Sequence, residues 1–337
     1  MEDVRHSAPL TSAELANLWS QYMNDTLSIC FLKHSIINLK DAEIKEILEF
    51  ALRIAESHVE KIDEFLNQAK YPLPKGFTVE RDVNLSAPPL FTDTFMLVYM
   101  HVMTLLGLTG YAGALGSSTR SDQISYYIQC NKETMDLYER TVHLMLEKGI
   151  YSRPPRLNSP NQVDFVKSQS YLTGWFGKRR PLNAMEISGI TYNMQKTTAK
   201  VVLELGFAQV CQSKELQKYF DRGKIICKKH FGALSSILTR DNLSAPTSWI
   251  SEVTNSTVSP FSDKLMLYHI VFIVSAAVGF YGAGLSLSQR RDIAILYTGL
   301  IAEMGLYAED GAELLIKNGW FEQPPLADDK EDLANHK

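Results

Sequence analysis

Apolar and polar positions follow a helical period along most of this chain. Between residues 44 and 65, apolar residues recur at spacings of three and four, which places them on one stripe of a helix. The segment between residues 216 and 237 repeats this stripe. Each stripe includes one histidine, His58 in the first and His230 in the second. The pattern predicts amphipathic helices that bury one face in a bundle.

The sequence is an internal duplication. A segment rich in glycine and tyrosine at residues 110–115 recurs at residues 280–285, and an Arg-x-Asp sequence follows each copy, at Arg120 and at Arg290. The offset between the copies is therefore 170 residues there, and it becomes 172 residues nearer the N-terminus, where it pairs the two histidines. A repeat of this length indicates a duplicated structural unit.

Cap and loop residues predict four helices in each copy. Thr11 and Glu14 have the spacing of a capping box at a helix start, and the second copy repeats the pattern. A proline-containing crossing of about twenty residues follows the second helix of each copy, at residues 70–89 and 241–260. Two short joins separated by one long crossover are typical of ferritin-like bundles. We therefore predict an all-α chain of two tandem ferritin-like four-helix bundles.

The predicted boundaries follow from this repeat. The first bundle occupies residues 1–151, a connector occupies residues 152–181, and the second bundle occupies residues 182–326. The polar segment at residues 327–337 is predicted to be a disordered tail.

Composition and charge limit which partners and which cellular compartment are expected for this protein. The chain has 337 residues, a net charge of -4 and no basic run longer than three residues, which argues against a nucleic-acid partner. The four cysteines show no paired spacing, and the N-terminus lacks the pattern of a signal peptide. These features predict a cytoplasmic protein.

The third helix of each copy is long and uncharged. Residues 94–119 and 265–289 contain no Lys, Arg, Asp or Glu and are long enough to span a membrane. Because Tyr, His, Thr, Ser and Gly dilute both segments, we predict buried core helices and no membrane span. Close approach of a neighbouring helix is expected at the small residues Gly107, Gly110, Gly113, Gly116, Gly279, Gly282 and Gly284.

A metal site is the chemistry that this bundle topology suggests. The di-metal pattern requires a Glu from each of two helices and a Glu-x-x-His pair from each of the other two, and that set is missing. The remaining candidate ligands for iron, manganese or zinc are His58, Glu133, His230, His269 and Glu303.

Helical rise predicts that these candidates do not converge. Counted from the shared end of the bundle, Asp25, His101 and Glu133 lie roughly 14 to 22 Å away and His58 nearer 30 Å. We therefore favour a buried polar layer in which each His and Glu has a hydrogen-bond partner. No cofactor and no catalytic residue is predicted, since nucleophile-elbow, P-loop and dinucleotide-binding motifs are missing too.

Three segments of the second copy resemble a protein family of Bacillus-type bacteria whose function is not known. They are GWFGKRRPLNA at residues 174–184, SPFSDKLM at residues 259–266 and NGWFEQPP at residues 318–325. That family is a duplicated domain and resembles the ferritin-like spore coat protein F group. The resemblance implies a helical fold and a place in the spore coat or in sporulation, and it brings no reaction.

Two functions remain open on these grounds. The first is a non-enzymatic structural or binding protein, associated with the spore coat, that has protein partners or associates with itself. The alternative is a ferritin-like metal-binding protein or oxidase with a degenerate His/Glu site.

Overall fold

The structure is a computed structural model, and it describes residues 8–175 and 179–330. Within these ranges eight long helices form two sets of four: α1 (Ser12–Asn38), α2 (Ala42–Gln68), α3 (Asp93–Ser117), α4 (Ser121–Glu147), α5 (Ala184–Val210), α6 (Lys214–Arg240), α7 (Asp263–Leu287) and α8 (Arg291–Lys317). Each set has a short, a long and a short connection, as the cap and loop residues predict. The prediction of an all-α, internally duplicated chain is confirmed.

Capping boxes begin the first helix of each set and also tie the helix ends together. The Glu14 carboxylate accepts hydrogen bonds from the backbone N–H groups of Thr11 (2.8 Å), Thr119 (2.8 Å) and Arg120 (2.9 Å). Burial alone would raise the pKa of Glu14, but these donors lower it to about 2. Glu186 has the same role in the second set. The start of the first helix is thereby fixed to the start of the fourth.

The long crossovers of the two repeats pair with each other. Isolated antiparallel bridges join Val83 to Phe261 and Phe91 to Val253. These pairs are related by the repeat, because residue 83 corresponds to 253 and residue 91 to 261. The length of the crossovers is thus explained, since each must reach the opposite bundle.

The pairing of the two crossovers also brings an acidic residue to the N-cap residue of the third helix in each repeat. The Thr92 hydroxyl, at the start of α3, donates to the Glu252 carboxylate (2.5 Å), and the Ser262 hydroxyl, at the start of α7, donates to the Asp82 carboxylate (2.8 Å). Each cap residue is therefore held by an acidic residue of the other repeat.

The two repeats share one hydrophobic core. Phe31 stacks on Phe261 with 5.0 Å between ring centroids, and the Tyr99 hydroxyl lies 3.1 Å from His269 Nε2. Tyr99 and His269 are equivalent positions, so their contact lies on the pseudo-two-fold axis that relates the repeats. Helix α5 packs against α6 and α7 of its own repeat and against α3 of the other. The predicted boundaries at residues 151 and 182 separate repeats that are packed together.

Most of the glycines in α3 and α7 do not face another helix. A Cβ atom added at Gly110, Gly113, Gly116, Gly279 or Gly282 would meet no atom within 4 Å. The expectation of close helix approach was wrong at these five positions, because they lie on the outward faces of α3 and α7. It holds at Gly284, whose Cα lies 3.4 Å from a Cβ built on Gly189 of α5.

Helices α3 and α7 are the two described helices long and apolar enough to cross a membrane. In the most apolar window, 56% of α3 and 39% of α7 is buried within the protein. A core helix of a soluble protein passes the same test of length and composition. The expectation that neither helix spans a membrane therefore stays a prediction.

Candidate functional site

A histidine and a glutamate meet in the middle of each bundle. His58 and His230 lie on the buried apolar stripes of α2 and α6. Glu133 on α4 contacts His58, and Glu303 on α8 contacts His230. The His58 Nε2 atom lies 2.9 Å from Glu133 Oε2, and the His230 Nε2 atom lies 2.8 Å from Glu303 Oε2. The structure thus brings together four of the five predicted ligands, as two separate pairs.

In the first repeat the histidine lies between two carboxylates. Its Nδ1 atom is 3.5 Å from Asp25 Oδ2 and 3.4 Å from the Tyr111 hydroxyl. Burial would lower the pKa of His58, but Asp25, the Cys130 thiol and Glu133 outweigh burial and raise this pKa to about 12. The hydrogen bond from His58 lowers the pKa of Glu133. The raised pKa of His58 favours a protonated ring, which lies between the side chains of Asp25 and Glu133.

The second repeat has a different layer at the same place. Thr197 replaces Asp25, and the His230 Nδ1 atom is 3.2 Å from the Tyr281 hydroxyl, which also lies 3.2 Å from the Thr197 hydroxyl. Burial lowers the pKa of His230, since only Glu303 opposes it. A neutral imidazole that donates from Nε2 to Glu303 and accepts at Nδ1 from Tyr281 satisfies both contacts.

These contacts correct the helical-rise estimate. Helix α2 ends at Gln68, ten residues beyond His58, so His58 lies about 15 Å from the shared end, at 1.5 Å per residue. The value of about 30 Å was wrong, and His58 is level with Asp25 and Glu133.

The side chains of each layer nevertheless do not point to a common position that a metal ion could occupy. Asp25 and Glu133 contact opposite nitrogen atoms of the His58 ring, and a protonated imidazole offers no lone pair to a metal. Across residues 8–175 and 179–330, no group of three or more His, Cys, Asp or Glu side chains is placed to hold a metal ion.

His269 and His101, the two other histidines considered in the sequence, lie elsewhere. His269 is buried against Tyr99, Phe31 and Phe207 at the contact between the repeats, where burial lowers its pKa to about 3. It does not join His230 and Glu303. His101 packs against Tyr151, and burial lowers its pKa to about 4. Both are uncharged aromatic side chains of the core.

Three buried ionisable residues on α5 were not predicted from the sequence. Lys196 lies over the Tyr192 ring, 2.8 Å from its centroid, and burial lowers the pKa of Lys196 to about 6. Lys200 and Glu204 follow at spacings of four, and burial raises the pKa of Glu204 to about 8. The spacing was a usable signal, because it puts all three residues on one face of an otherwise apolar helix.

These residues fill the second bundle where the first has a cavity. A cavity of about 100 Å³ in the first repeat is lined by Asp25, Ser28, Leu32, Tyr111 and Leu137, among others. At the positions equivalent to Ser28 and Leu137, the second repeat carries the larger side chains Lys200 and Tyr307, and Glu204 replaces Leu32. The duplicated bundles have thus diverged in their centres while both kept the His–Glu pair.

Comparison with known proteins places the chain in a family. The family described as "Protein of unknown function (DUF3231)" matches residues 2–163 and again residues 170–333. The chain belongs to the DUF3231 family. Its two family matches coincide with the two structural repeats, and the resemblance to a duplicated domain of unknown function is confirmed.

One solved structure is similar to part of this DUF3231 protein. That structure is of a protein from Bacillus halodurans C-125 that is described as a candidate spore coat protein. The identity is 19%, the match covers 46% of this chain and 99% of the other, and the TM-score is 0.42. No curated protein matches the chain.

Proposed function

We propose that this protein is a non-enzymatic structural or binding protein whose two His–Glu layers hold its bundles together. The observation that carries the proposal is that both ring nitrogens of His58 and of His230 have polar partners within the protein. Buried groups that are satisfied in this way rigidify a core. A reaction would instead require a ring nitrogen or a carboxylate that faces substrate.

We propose in addition that the protein associates with the spore coat. The support is the resemblance of the three quoted segments to a family of Bacillus-type bacteria that in turn resembles the spore coat protein F group. The test is to express the full chain with a small epitope tag in a sporulating Bacillus strain and to extract purified spores in alkaline detergent. Recovery in the coat extract is expected. Recovery in the vegetative and mother-cell cytoplasm alone would contradict the association.

A second candidate function is metal binding, as in a ferritin-like oxidase. The observation that favours it is that the same His–Glu pair recurs on the second and fourth helices of both repeats. The second repeat is the better candidate, because its histidine is neutral. The fit is poor, however, since Lys229 also pairs with Glu303 (2.5 Å) and Tyr281 occupies the other ring nitrogen of His230.

The two candidate functions differ in metal content. Untagged protein from cells grown with added iron, manganese and zinc would be compared with the double variant His230→Ala, Glu303→Ala by plasma mass spectrometry. Equal, substoichiometric metal in both proteins is expected from the first proposal. Near-stoichiometric metal that is lost in the variant would establish the second.

A further inference from the structure

The outer face of α8 is apolar although it is exposed. Ile295 and Leu306 are 61% and 64% exposed, and between them the outward positions are Thr298, Gly299 and Ala302. No charged side chain lies among these five. An exposed helix face in a bundle is ordinarily polar, and apolar stripes on a surface mark contacts.

The first repeat shows that the fold does not require this composition. At the positions equivalent to residues 295, 298, 299, 302 and 306, α4 carries Ser125, Ile128, Gln129, Lys132 and Asp136, of which Ile128 alone is apolar. Helix α4 occupies the same place in its bundle as α8 does in the second. The apolar stripe on α8 is thus a property of the second repeat and not a consequence of helix packing.

The stripe is complementary to itself. When two copies of α8 cross antiparallel about a two-fold axis between positions 300 and 301, Ile295 of each copy faces Leu306 of the other. In the same arrangement Gly299 of each copy faces Ala302 of the other. Small residues at the centre permit close approach of the helices, and the large apolar residues lie on either side.

The charges at the two ends of the stripe agree with the same register. Arg291 is exposed at the start of α8, and Glu309 is exposed near its end. In the antiparallel crossing each Arg291 lies beside Glu309 of the other copy, whereas Asp310 is already paired with Arg222 of its own chain. Opposite charges at the rim of an interface fix its register more than they add affinity.

We propose that a second copy of this chain docks on the outer face of α8 and forms a two-fold symmetric dimer through α8 of both copies. The inference goes beyond the proposed function and does not depend on spore-coat association or on the state of the His–Glu layers.

The test is the mass of the full chain in solution, measured by sedimentation velocity over a range of concentrations. The wild type is expected to sediment as a dimer of two 38.0 kDa chains. The variant Ala302→Lys introduces the residue that the first repeat has at Lys132, so the bundle should fold as before. Because the dimer would bury this lysine twice, we expect dissociation to be favoured about 100-fold or more. Lys132→Glu on α4 is the matched control and should leave the dimer unchanged.

Charge exchange distinguishes this register from any other contact on the same face. Arg291→Glu and Glu309→Arg should each weaken the dimer, and the double variant should regain most of the lost affinity, since the pairs are restored in reverse. Circular dichroism must show unchanged helix content in every variant. A monomeric wild type, or a dimer unaffected by Ala302→Lys, would overturn the proposal. Failure of the charge exchange to restore affinity would overturn the antiparallel register.

Discussion

Gly223 on α6 offers a sharp test of how the second bundle is packed. A Cβ atom at Gly223 would overlap the Tyr307 hydroxyl and would lie 2.5 Å from Glu204 Oε1. Both side chains are buried, and the Tyr307 hydroxyl donates a hydrogen bond to the Tyr219 carbonyl oxygen (3.2 Å). The substitution Gly223→Ala therefore adds one methyl group to a filled core.

The expected magnitude is a balance of three effects. Alanine stabilises a helix interior by about 0.8–1.0 kcal/mol relative to glycine. Overpacking of a filled core is destabilising by about 1–3 kcal/mol, and loss of the Tyr307 hydrogen bond costs about 1 kcal/mol more. The net prediction for Gly223→Ala is a loss of about 1–3 kcal/mol in the free energy of unfolding.

The same helix provides the control. Gly232 lies nine residues further along α6, and a Cβ atom there would meet no atom within 4 Å. Gly232→Ala should therefore stabilise the protein by up to about 1 kcal/mol. The assay is denaturant unfolding followed by circular dichroism at 222 nm, with the two alanine variants compared at a common denaturant concentration.

Transfer of a residue from the first repeat tests the cause. The position equivalent to Gly223 is Ala51, and the position equivalent to Tyr307 is Leu137. In a Tyr307→Leu background, Gly223→Ala should lose most of its destabilising effect, because the overlapping ring is gone. Equal destabilisation in both backgrounds, or stabilisation by Gly223→Ala in the wild type, would refute the packing described here.

Four further predictions concern the helix ends, the two His–Glu layers and the shared core. Glu14→Gln should destabilise the protein by about 3 kcal/mol at pH 7, because the carboxylate pKa of about 2 implies that much stability. That difference should shrink as pH falls from about 4.5 towards 2, measured by denaturant unfolding at several pH values. His58 has a raised pKa in the folded state, so its contribution to the free energy of unfolding should be full below about pH 6.5 and should decline by up to about 1.4 kcal/mol per pH unit as pH rises. His58→Gln should remove this slope. A wild type whose free energy of unfolding does not change from pH 7 to 9 would contradict the prediction. His230, with a lowered pKa, should have the opposite trend and lose stability as pH falls below about 6.5. Phe261→Ala should destabilise both repeats by about 3–5 kcal/mol, because the Phe261 ring stacks on Phe31 across the shared core. An increase of amide hydrogen exchange in the second repeat alone would contradict this prediction.

The repeat made much of the fold predictable from the sequence. A feature found twice, at an offset of 170 to 172 residues, could be assigned to the same place in both bundles. The two capping boxes and the apolar stripes are of this kind, whereas the contact between His58 and Glu133 was not predicted. Periodicity fixes which face of a helix is buried, and duplication supplies a second, independent reading of it.

What could not be predicted depends on contacts between the repeats. The sequence does not show that Tyr99 and His269 meet, since the pseudo-two-fold axis arises only when the repeats pack. For the same reason the glycines of α3 and α7 were placed against helices, although most of them face outward. The buried ionisable residues of α5 were not predicted because the repeat does not mark them: the positions equivalent to Lys200 and Glu204 are Ser28 and Leu32.

The most direct test of the closed polar layers is the protonation state of His58. Histidine-selective ¹⁵N NMR of the full chain reports protonation at both ring nitrogens, and His58→Gln assigns the signal. The account predicts that His58 is doubly protonated at pH 8 and that equimolar Zn²⁺ leaves its signal unchanged. A neutral His58 at pH 8, or a signal that shifts on addition of Zn²⁺, would contradict the account and make the layer a metal site.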